Sequence, residues 1–183
     1  MLGVVDEVWW SRLAQPRWHA WTDTTPLRLI QQEPDKQDLE PKAMACYGVL
    51  RADTQTMLLR FVDGRPVSGV TTQFLGWLTA QLAQEQKQAL LVVWDHASWH
   101  LSRDVRTWIK THNRRVTREG GCRLGLCQLP TKSPWLNRIE PKWVHGKRAI
   151  AEPERKLTIE ETTQRLCDYY HCELLAPLAQ KVA

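Results

Sequence analysis

The sequence predicts an α/β domain in which helices flank a mixed β-sheet. The first observation is the run LLVVWD at residues 90–95, which is apolar over most of its length and ends in a carboxylate. Such runs are typical of strands that helices cover on both faces. The second observation is the element order, since a hairpin precedes this run and helical and strand patterns alternate after it. Open α/β sheets hold their sites at the carboxyl ends of strands, so Asp95 is a candidate site residue.

Composition limits the class of protein. The 183 residues are 43% hydrophobic and 25% charged, as expected for one globular domain. The apolar runs are too short to span a membrane, and the acidic N-terminal segment is not a signal peptide. Five cysteines without CxxC spacing argue against a disulfide framework and a structural zinc site, and indicate a reducing compartment. The net charge of +5 favours a polyanionic partner.

The N-terminal half predicts three strands and a helix. Residues 4–10 form the first strand, and the polar, proline-containing segment 22–41 predicts a surface loop. Ala43–Arg51 and residues 56–62 are β-compatible and separated by a turn-like segment, which predicts a hairpin. A helix follows, with apolar residues at helical spacing after a cap at the Thr71-Thr72 pair, and it leads into the buried run.

After Asp95 the pattern alternates between helix and strand. Ser102 is predicted to cap a helix that ends near Glu119. Residues 123–129 form the next strand candidate. The buried run and this strand are thus joined through a helix, which predicts a parallel pair.

Two further helices complete the chain. One is predicted over residues 134–150, where Pro141 could introduce a kink. Thr158 and Glu161 form a capping box for a last helix that ends near His171. The complete order is strand, two hairpin strands, helix, strand, helix, strand, helix. This is the order of an RNase H-like domain with a five-stranded mixed sheet.

Three acids lie where this order brings element ends together. Asp6 is in the first strand, Asp95 ends the fourth, and Glu140 lies on the helix after the fifth. The first and fourth strands are neighbours in such a fold, so we expect the three carboxylates to converge. Converging carboxylates repel unless a cation lies between them, and oxygen ligands suit Mg²⁺ or Mn²⁺. A metal pair of this kind supports phosphodiester cleavage or transfer.

Four motifs point to a family. They are VVDEVWW, ACYGVL, LLVVWDHASWH and QLPTKSPWLNRIEPKWVHGKR. Together they resemble the catalytic domain of the mariner-like DDE/D transposases, in the branch carried by bacterial insertion sequences. The last motif is the most specific, and the resemblance extends from about residue 4 to about residue 155.

The resemblance implies a function as well as a fold. Asp6, Asp95 and Glu140 would be the catalytic, metal-binding triad of an enzyme that uses Mg²⁺ or Mn²⁺. That enzyme would nick DNA at transposon ends and join the freed 3′-hydroxyl to target DNA. The pocket around the triad would include His96, His100 and Asn137. A homodimer and a bacterial cytoplasmic, nucleoid-associated location would fit this activity.

The chain departs from the family pattern at three points. His96 stands where Asn is frequent, and 44 residues separate Asp95 from Glu140. We assign the extra length to a basic inserted loop at residues 111–121. Family members also carry helix-turn-helix modules before the catalytic domain, whereas only five residues precede Asp6. We therefore expect a catalytic domain at residues 1–156 and a helical extension at 157–183, with end recognition supplied by a separate segment.

Basic and aromatic residues around the acids suggest contacts with DNA. The candidate contacts are Arg114, Arg115, Arg118, Lys132, Lys142, Lys147 and Arg148, with Arg155 and Lys156 beyond them. A solvated basic face is the alternative. Trp99 and Trp135 would stack on bases or pack the substrate channel, whereas Trp94, Trp108 and Trp143 fit core positions. A zinc pair of His96 and His100 is a further alternative, although we expect a strand-exit loop there.

Three functions therefore remain open. The first is a metal-dependent transposase catalytic domain. The second is a non-catalytic or decayed remnant that binds DNA or a partner subunit. The third is another RNase H-like nuclease, such as a junction resolvase, which would cut branched or hybrid substrates without strand transfer.

Overall fold

The middle layer of the molecule is a β-sheet. The structure, a computed structural model, describes residues 1–15, 37–131 and 133–179. The strands are β1 (Leu2–Ser11), β2 (Ala43–Arg51), β3 (Met57–Asp63), β4 (Ala89–Trp94), β5 (Arg123–Gln128) and β6 (Leu178–Ala179). The helices are α1 (Ser68–Gln84), α2 (Arg103–Glu119), α3 (Glu140–Ile150) and α4 (Ile159–Tyr170). A 3₁₀ turn at Pro134–Leu136 precedes α3.

The strand order is β5-β4-β1-β2-β3-β6. β1, β2 and β3 form an antiparallel meander, while β4 and β5 run parallel to β1. The first and fourth strands are therefore neighbours, as predicted. The sheet has six strands rather than the predicted five, because the two-residue β6 pairs with β3. A strand that short has no alternation by which to recognise it.

Each face of the sheet buries its own apolar core. We call the core beneath α1 and α2 the first core, and Val5 of β1 belongs to it. The second core lies beneath α3 and α4, and Val4 of β1 belongs to it. Consecutive strand residues point to opposite faces, so β1 contributes side chains to both cores.

The predicted cap of α1 is wrong. The helix begins at Ser68, and Val67 at the N-cap position provides no side-chain cap. Thr71 instead lies inside the helix and is buried. Its hydroxyl donates to the carbonyl of Val67 at 3.1 Å and shares a hydrogen bond of 2.8 Å with the hydroxyl of Tyr47. These bonds occupy the side chain that the prediction used as a cap.

The basic segment 111–121 is mostly helix rather than the predicted inserted loop. Ser102 caps α2 and the helix ends at Glu119, and both features agree with the prediction. His112 holds this part of the helix on the sheet, because it is buried and its Nε2 lies 2.9 Å from the carbonyl oxygen of Cys122. The arginines of the segment therefore have fixed positions on the last turns of a helix.

The predictions for the starts of the two C-terminal helices have different outcomes. The prediction of one helix over residues 134–150 with a kink at Pro141 is wrong. α3 begins only at Glu140, so Pro141 lies in its first turn. A first-turn proline fits because its missing N–H would have no partner there. The capping box of α4 is confirmed: Thr158 Oγ1 accepts from the Glu161 amide at 3.0 Å, and Glu161 Oε2 accepts from the Thr158 amide at 2.8 Å. α4 ends at Tyr170, one residue before the predicted end.

Two predictions lie outside the described residues, namely most of the polar segment 22–41 and the position of Lys132. In the ranges that are described, no helix is long and apolar enough to cross a membrane. The five cysteines are all free, three of them buried.

Candidate active site

A cavity of about 340 Å³ opens at the carboxyl edge of the parallel strands. Asp95 directly follows β4 and Glu140 is the first residue of α3, and both line this cavity. His96, Thr131, Ser133 and Asn137 also line it. The structure thus brings two of the three predicted acids, and two of the three predicted pocket residues, to one cavity.

Asp6 lies on the strand beside this cavity. Val4 of β1 is opposite Val93 of β4 in the parallel register. Continuing that register by two residues places Asp6 level with Asp95 and on the same face of the sheet. Neighbouring strands are about 4.8 Å apart, so Asp6 in the middle of β1 lies beside the carboxyl end of β4, where Asp95 follows.

Trp143 holds the carboxylate of Asp6. The indole Nε1 donates to Asp6 Oδ2 at 3.0 Å, and the amide of Glu7 donates to Oδ1 at 2.9 Å. Gly48 of β2 is the cross-strand neighbour of Asp6, and a Cβ at that position would overlap the ring of Trp143. The absence of a side chain at Gly48 therefore lets the indole cross β2 and reach Asp6.

The environment of Asp6 disfavours its negative charge. Burial raises its pKa to about 7, the hydrogen bond from Trp143 lowers it, and the charges of Glu7 and Glu140 raise it. Asp6 is 8% exposed, whereas Glu140 is exposed and its carboxylate has no hydrogen bond to any other residue the structure describes. Asp6 and Glu140 are therefore close enough to repel each other.

Asp95 is held by a buried histidine. His100 Nδ1 lies 2.9 Å from Asp95 Oδ1, and the amide of Ala97 donates to the same oxygen at 2.9 Å. The hydrogen bond from His100 is the main cause that lowers the pKa of Asp95. His100 Nε2 lies 2.7 Å from Glu7 Oε1. Burial alone would lower the pKa of His100, but its bonds to Asp95 and Glu7, and their charges, raise it to about 9.

Glu7 is a site residue that the sequence analysis missed. Strand alternation places it on the face opposite Asp6, toward the segment that follows Asp95. That alternation was the available signal. The arrangement also argues against the zinc pair, because both ring nitrogens of His100 already contact carboxylates.

The residue types around the cavity suit a hard divalent cation. The three acids offer only oxygen donors, which Mg²⁺ and Mn²⁺ prefer. Asn137 Oδ1 adds another oxygen, which is buried and has no hydrogen-bond partner in the described part of the chain. Within residues 1–15, 37–131 and 133–179, however, no three His, Cys, Asp or Glu side chains are arranged to hold a metal ion. The oxygen donors at the cavity therefore suit Mg²⁺ or Mn²⁺, although three ligating side chains do not meet at one point in the described residues.

The predicted DNA contacts occupy three environments. Arg114, Arg118, Lys147 and Arg148 are exposed on helices. Arg115 is also exposed, but its guanidinium lies 3.5 Å from His112 Nδ1. Lys142 is half-buried beside Glu140. Arg155 and Lys156 form ion pairs with Glu161 and Asp38, which supports the solvated-face alternative for those two.

The tryptophans divide largely as predicted. Trp94 and Trp143 are buried, and Trp108 is half-buried. Trp135 is 76% exposed in the turn between the cavity residues Ser133 and Asn137. Trp99 is half-buried and donates its Nε1 to Glu7 Oε1 at 3.3 Å.

Comparison with known proteins gives a family and a fold. The model of a family described as DDE superfamily endonuclease matches residues 31–163. No curated protein matches the sequence significantly. Solved structures of Mos1 transposase do match, at 15–16% identity.

Three of these structures show the extent of the likeness. The Mos1 paired-end complex with the left transposon end has a TM-score of 0.67, with 16% identity over 93% of this chain and 47% of that chain. The Mos1 mariner paired-end complex with Mn has a TM-score of 0.67, with 15% identity over 93% and 48%. The catalytic domain of Mos1 mariner transposase has a TM-score of 0.55, with 15% identity over 93% and 69%. The chain thus spans about half of the Mos1 chains in the complexes, and the RNase H-like fold class is confirmed.

Proposed function

Because the chain belongs to the DDE superfamily endonuclease family, we propose that it is the catalytic domain of a mariner-like DNA transposase from the bacterial insertion-sequence branch. The observation that carries this proposal is the shared cavity of Asp95 and Glu140, with Asp6 level with Asp95 on the neighbouring strand. We propose these three residues as the catalytic triad. The substrates would be transposon ends and target DNA, in the nucleoid of a bacterial cytoplasm.

The chain's own residues would prepare a metal-dependent reaction. Asp6, Asp95 and Glu140 would hold Mg²⁺ or Mn²⁺, which supplies Lewis-acid activation of water and charge stabilisation at the phosphodiester. His100 and the Ala97 amide fix Asp95 Oδ1 and leave Oδ2 without a partner among the described residues. The indole of Trp143 orients Asp6. Freed 3′-hydroxyls would then attack target DNA, with no covalent enzyme intermediate.

A single substitution tests this assignment. Asp95→Asn should abolish Mg²⁺- or Mn²⁺-dependent nicking of DNA while circular dichroism and the melting temperature show a folded domain. The matched control is Asp104→Asn, which removes an exposed carboxylate from the first turn of α2. Undiminished nicking by the Asp95 variant would exclude the proposal. A strand-transfer reaction on precut ends separates a transposase from another RNase H-like nuclease.

The non-catalytic remnant remains the second candidate. The observation that favours it is the lack of three metal-ligating side chains meeting at one point within the described ranges. Titration with Mn²⁺ discriminates between the two, because a folded remnant would bind none. Micromolar binding together with nicking would support the enzyme.

A basic stripe on α2 supports DNA as the partner. Five cations follow one another at spacings of three or four residues, which places them on one helix face opposite the core. They are Arg103, Arg106, Lys110, Arg114 and Arg118. None of them forms a salt bridge in the part of the chain that the structure describes. The stripe is about 22 Å long, and Arg115 lies to its side. We propose that it contacts the phosphate backbone.

Salt dependence measures this contact directly. Each lost phosphate contact lowers the slope of log K against log salt by about 0.9 for duplex DNA. Lys110→Gln/Arg114→Gln should therefore reduce the slope by about 2. Lys42→Gln/Arg65→Gln removes the same charge from exposed positions off the stripe and should leave the slope unchanged. Equal slopes for both double variants would rule out the stripe as a contact with the phosphate backbone.

Partners beyond DNA also belong to this proposal. The Mos1 relatives are described as paired-end complexes. We propose that this chain acts as a homodimer on DNA, with end recognition by a separate helix-turn-helix segment. Light scattering of the DNA-bound protein should give the mass of two chains, and a one-chain complex would contradict the dimer.

A further inference from the structure

We propose that Glu7 is a positioning residue, which acts through His100 to fix the carboxylate of Asp95 for metal binding. The proposal rests on the proposed function, because it assigns a role toward the metal of that site. Glu7 itself would not touch the metal or the DNA. Its role would be to hold the histidine that holds the acid.

An unbroken series of short contacts carries this inference. Glu7 Oε1 lies 2.7 Å from His100 Nε2, and His100 Nδ1 lies 2.9 Å from Asp95 Oδ1. Trp99 Nε1 donates to the same oxygen of Glu7 at 3.3 Å. Glu7 is therefore held at its own end, and its position is transmitted through the imidazole to Asp95.

The imidazole cannot turn away from this arrangement. His100 is 1% exposed, and its ring stacks on Trp94 with centroids 4.3 Å apart and planes 9° from parallel. Burying a polar ring costs free energy unless both nitrogens have partners. Glu7 and Asp95 are those partners, so the plane of the ring and both of its hydrogen bonds are fixed.

The carboxylate of Asp95 is fixed through one oxygen and open to solvent at the other. Its side chain is 50% exposed, although His100 is buried. Oδ1 takes the bonds from His100 and the Ala97 amide, while Oδ2 has no partner in the ranges that the structure describes. One oxygen is therefore anchored and the other is available at the cavity. Hydrogen-bonded supports of metal-ligating carboxylates typically change metal affinity by about 10- to 100-fold when they are removed.

Two substitutions of His100 separate its two contacts. Asparagine places an amide nitrogen near the position of Nδ1 and can still donate to Asp95, whereas glutamine places one near Nε2 and can contact only Glu7. Both remove the ring from Trp94, so a purely structural role predicts equal effects. We expect His100→Gln to weaken Mn²⁺ binding about 10- to 100-fold, and His100→Asn to bind Mn²⁺ at least about fivefold more tightly than His100→Gln.

Glu7 is tested by a matched pair. Glu7→Leu removes the acceptor at nearly constant volume and should weaken Mn²⁺ binding about tenfold. Glu7→Gln keeps an acceptor for His100 and should recover most of this loss. Mn²⁺ affinity is measured by electron paramagnetic resonance on the full chain, with melting temperatures taken in parallel.

The outcomes separate the inference from the function on which it rests. Equal losses for His100→Asn and His100→Gln, or unchanged affinity in Glu7→Leu, would overturn the positioning role while Asp95→Asn still abolished nicking. Undiminished metal-dependent nicking by Asp95→Asn would overturn both.

Discussion

Asp6→Asn should remove a large part of the pH dependence of stability in the metal-free protein. Burial raises the pKa of Asp6 from 3.8 to about 7. Between these values the folded protein holds a proton that the unfolded chain has released, so stability falls as the pH rises. The effect is about 1.4 kcal/mol per pH unit well below the folded-state pKa and half of that at pH 7, which gives about 2 kcal/mol from pH 5 to pH 7. An asparagine at position 6 does not titrate, so the variant does not lose this stability as the pH rises.

The measurement is the free energy of unfolding in urea at pH 5 and pH 7, with EDTA present. Asparagine also loses one acceptor for Trp143, but that cost does not change with pH. The stability of the variant relative to the wild type should therefore rise by about 2 kcal/mol between the two pH values. Asp104→Asn, on the exposed first turn of α2, should show no such rise. Parallel curves for the wild type and the Asp6 variant would refute the assignment of a buried, charge-disfavoured carboxylate.

Three further substitutions test the supports of the site. Gly48→Ala should displace the indole of Trp143 and lower the free energy of unfolding by about 1–3 kcal/mol, and unchanged tryptophan fluorescence and stability would contradict the packing described. Trp143→Phe removes a hydrogen bond that lowers the pKa of Asp6, so a carbon-13 titration of that carboxyl without metal should give a higher pKa than in the wild type. Arg12→Ala should lower the melting temperature by about 5–10 °C, because this buried guanidinium joins three separate segments. The exposed ion pair of Arg155 serves as the control and should contribute little.

The order of the sheet could be read from the sequence because its strands are long and strongly patterned. β2 follows its predicted bounds, and β4 is the apolar run that precedes Asp95. The neighbouring positions of Asp6 and Asp95 follow from that order, since β1 and β4 pair in parallel. Local patterns were sufficient here because they directly determine which strands a buried sheet can contain.

Contacts between distant side chains were beyond the reach of such patterns. The bond from Trp143 to Asp6 depends on space above Gly48, and the link from Glu7 to His100 depends on the stacking of His100 on Trp94. Strand alternation indicates which face Glu7 occupies, but no pattern in the sequence identifies the partner of either side chain. The inserted loop assigned to residues 111–121 was wrong because it overlapped the helix predicted to end near Glu119, and α2 does end there.

The pleat of β1 has a consequence for how mutations should affect this protein. Asp6 and Glu7 are consecutive, yet one contacts the second core and the other faces the first. Substitutions in the packing beneath α1 and α2 can therefore alter the acids of the cavity without touching it. A mutational scan should find inactivating positions under both helical layers, and a one-residue slip of β1 would exchange the two carboxylates between them.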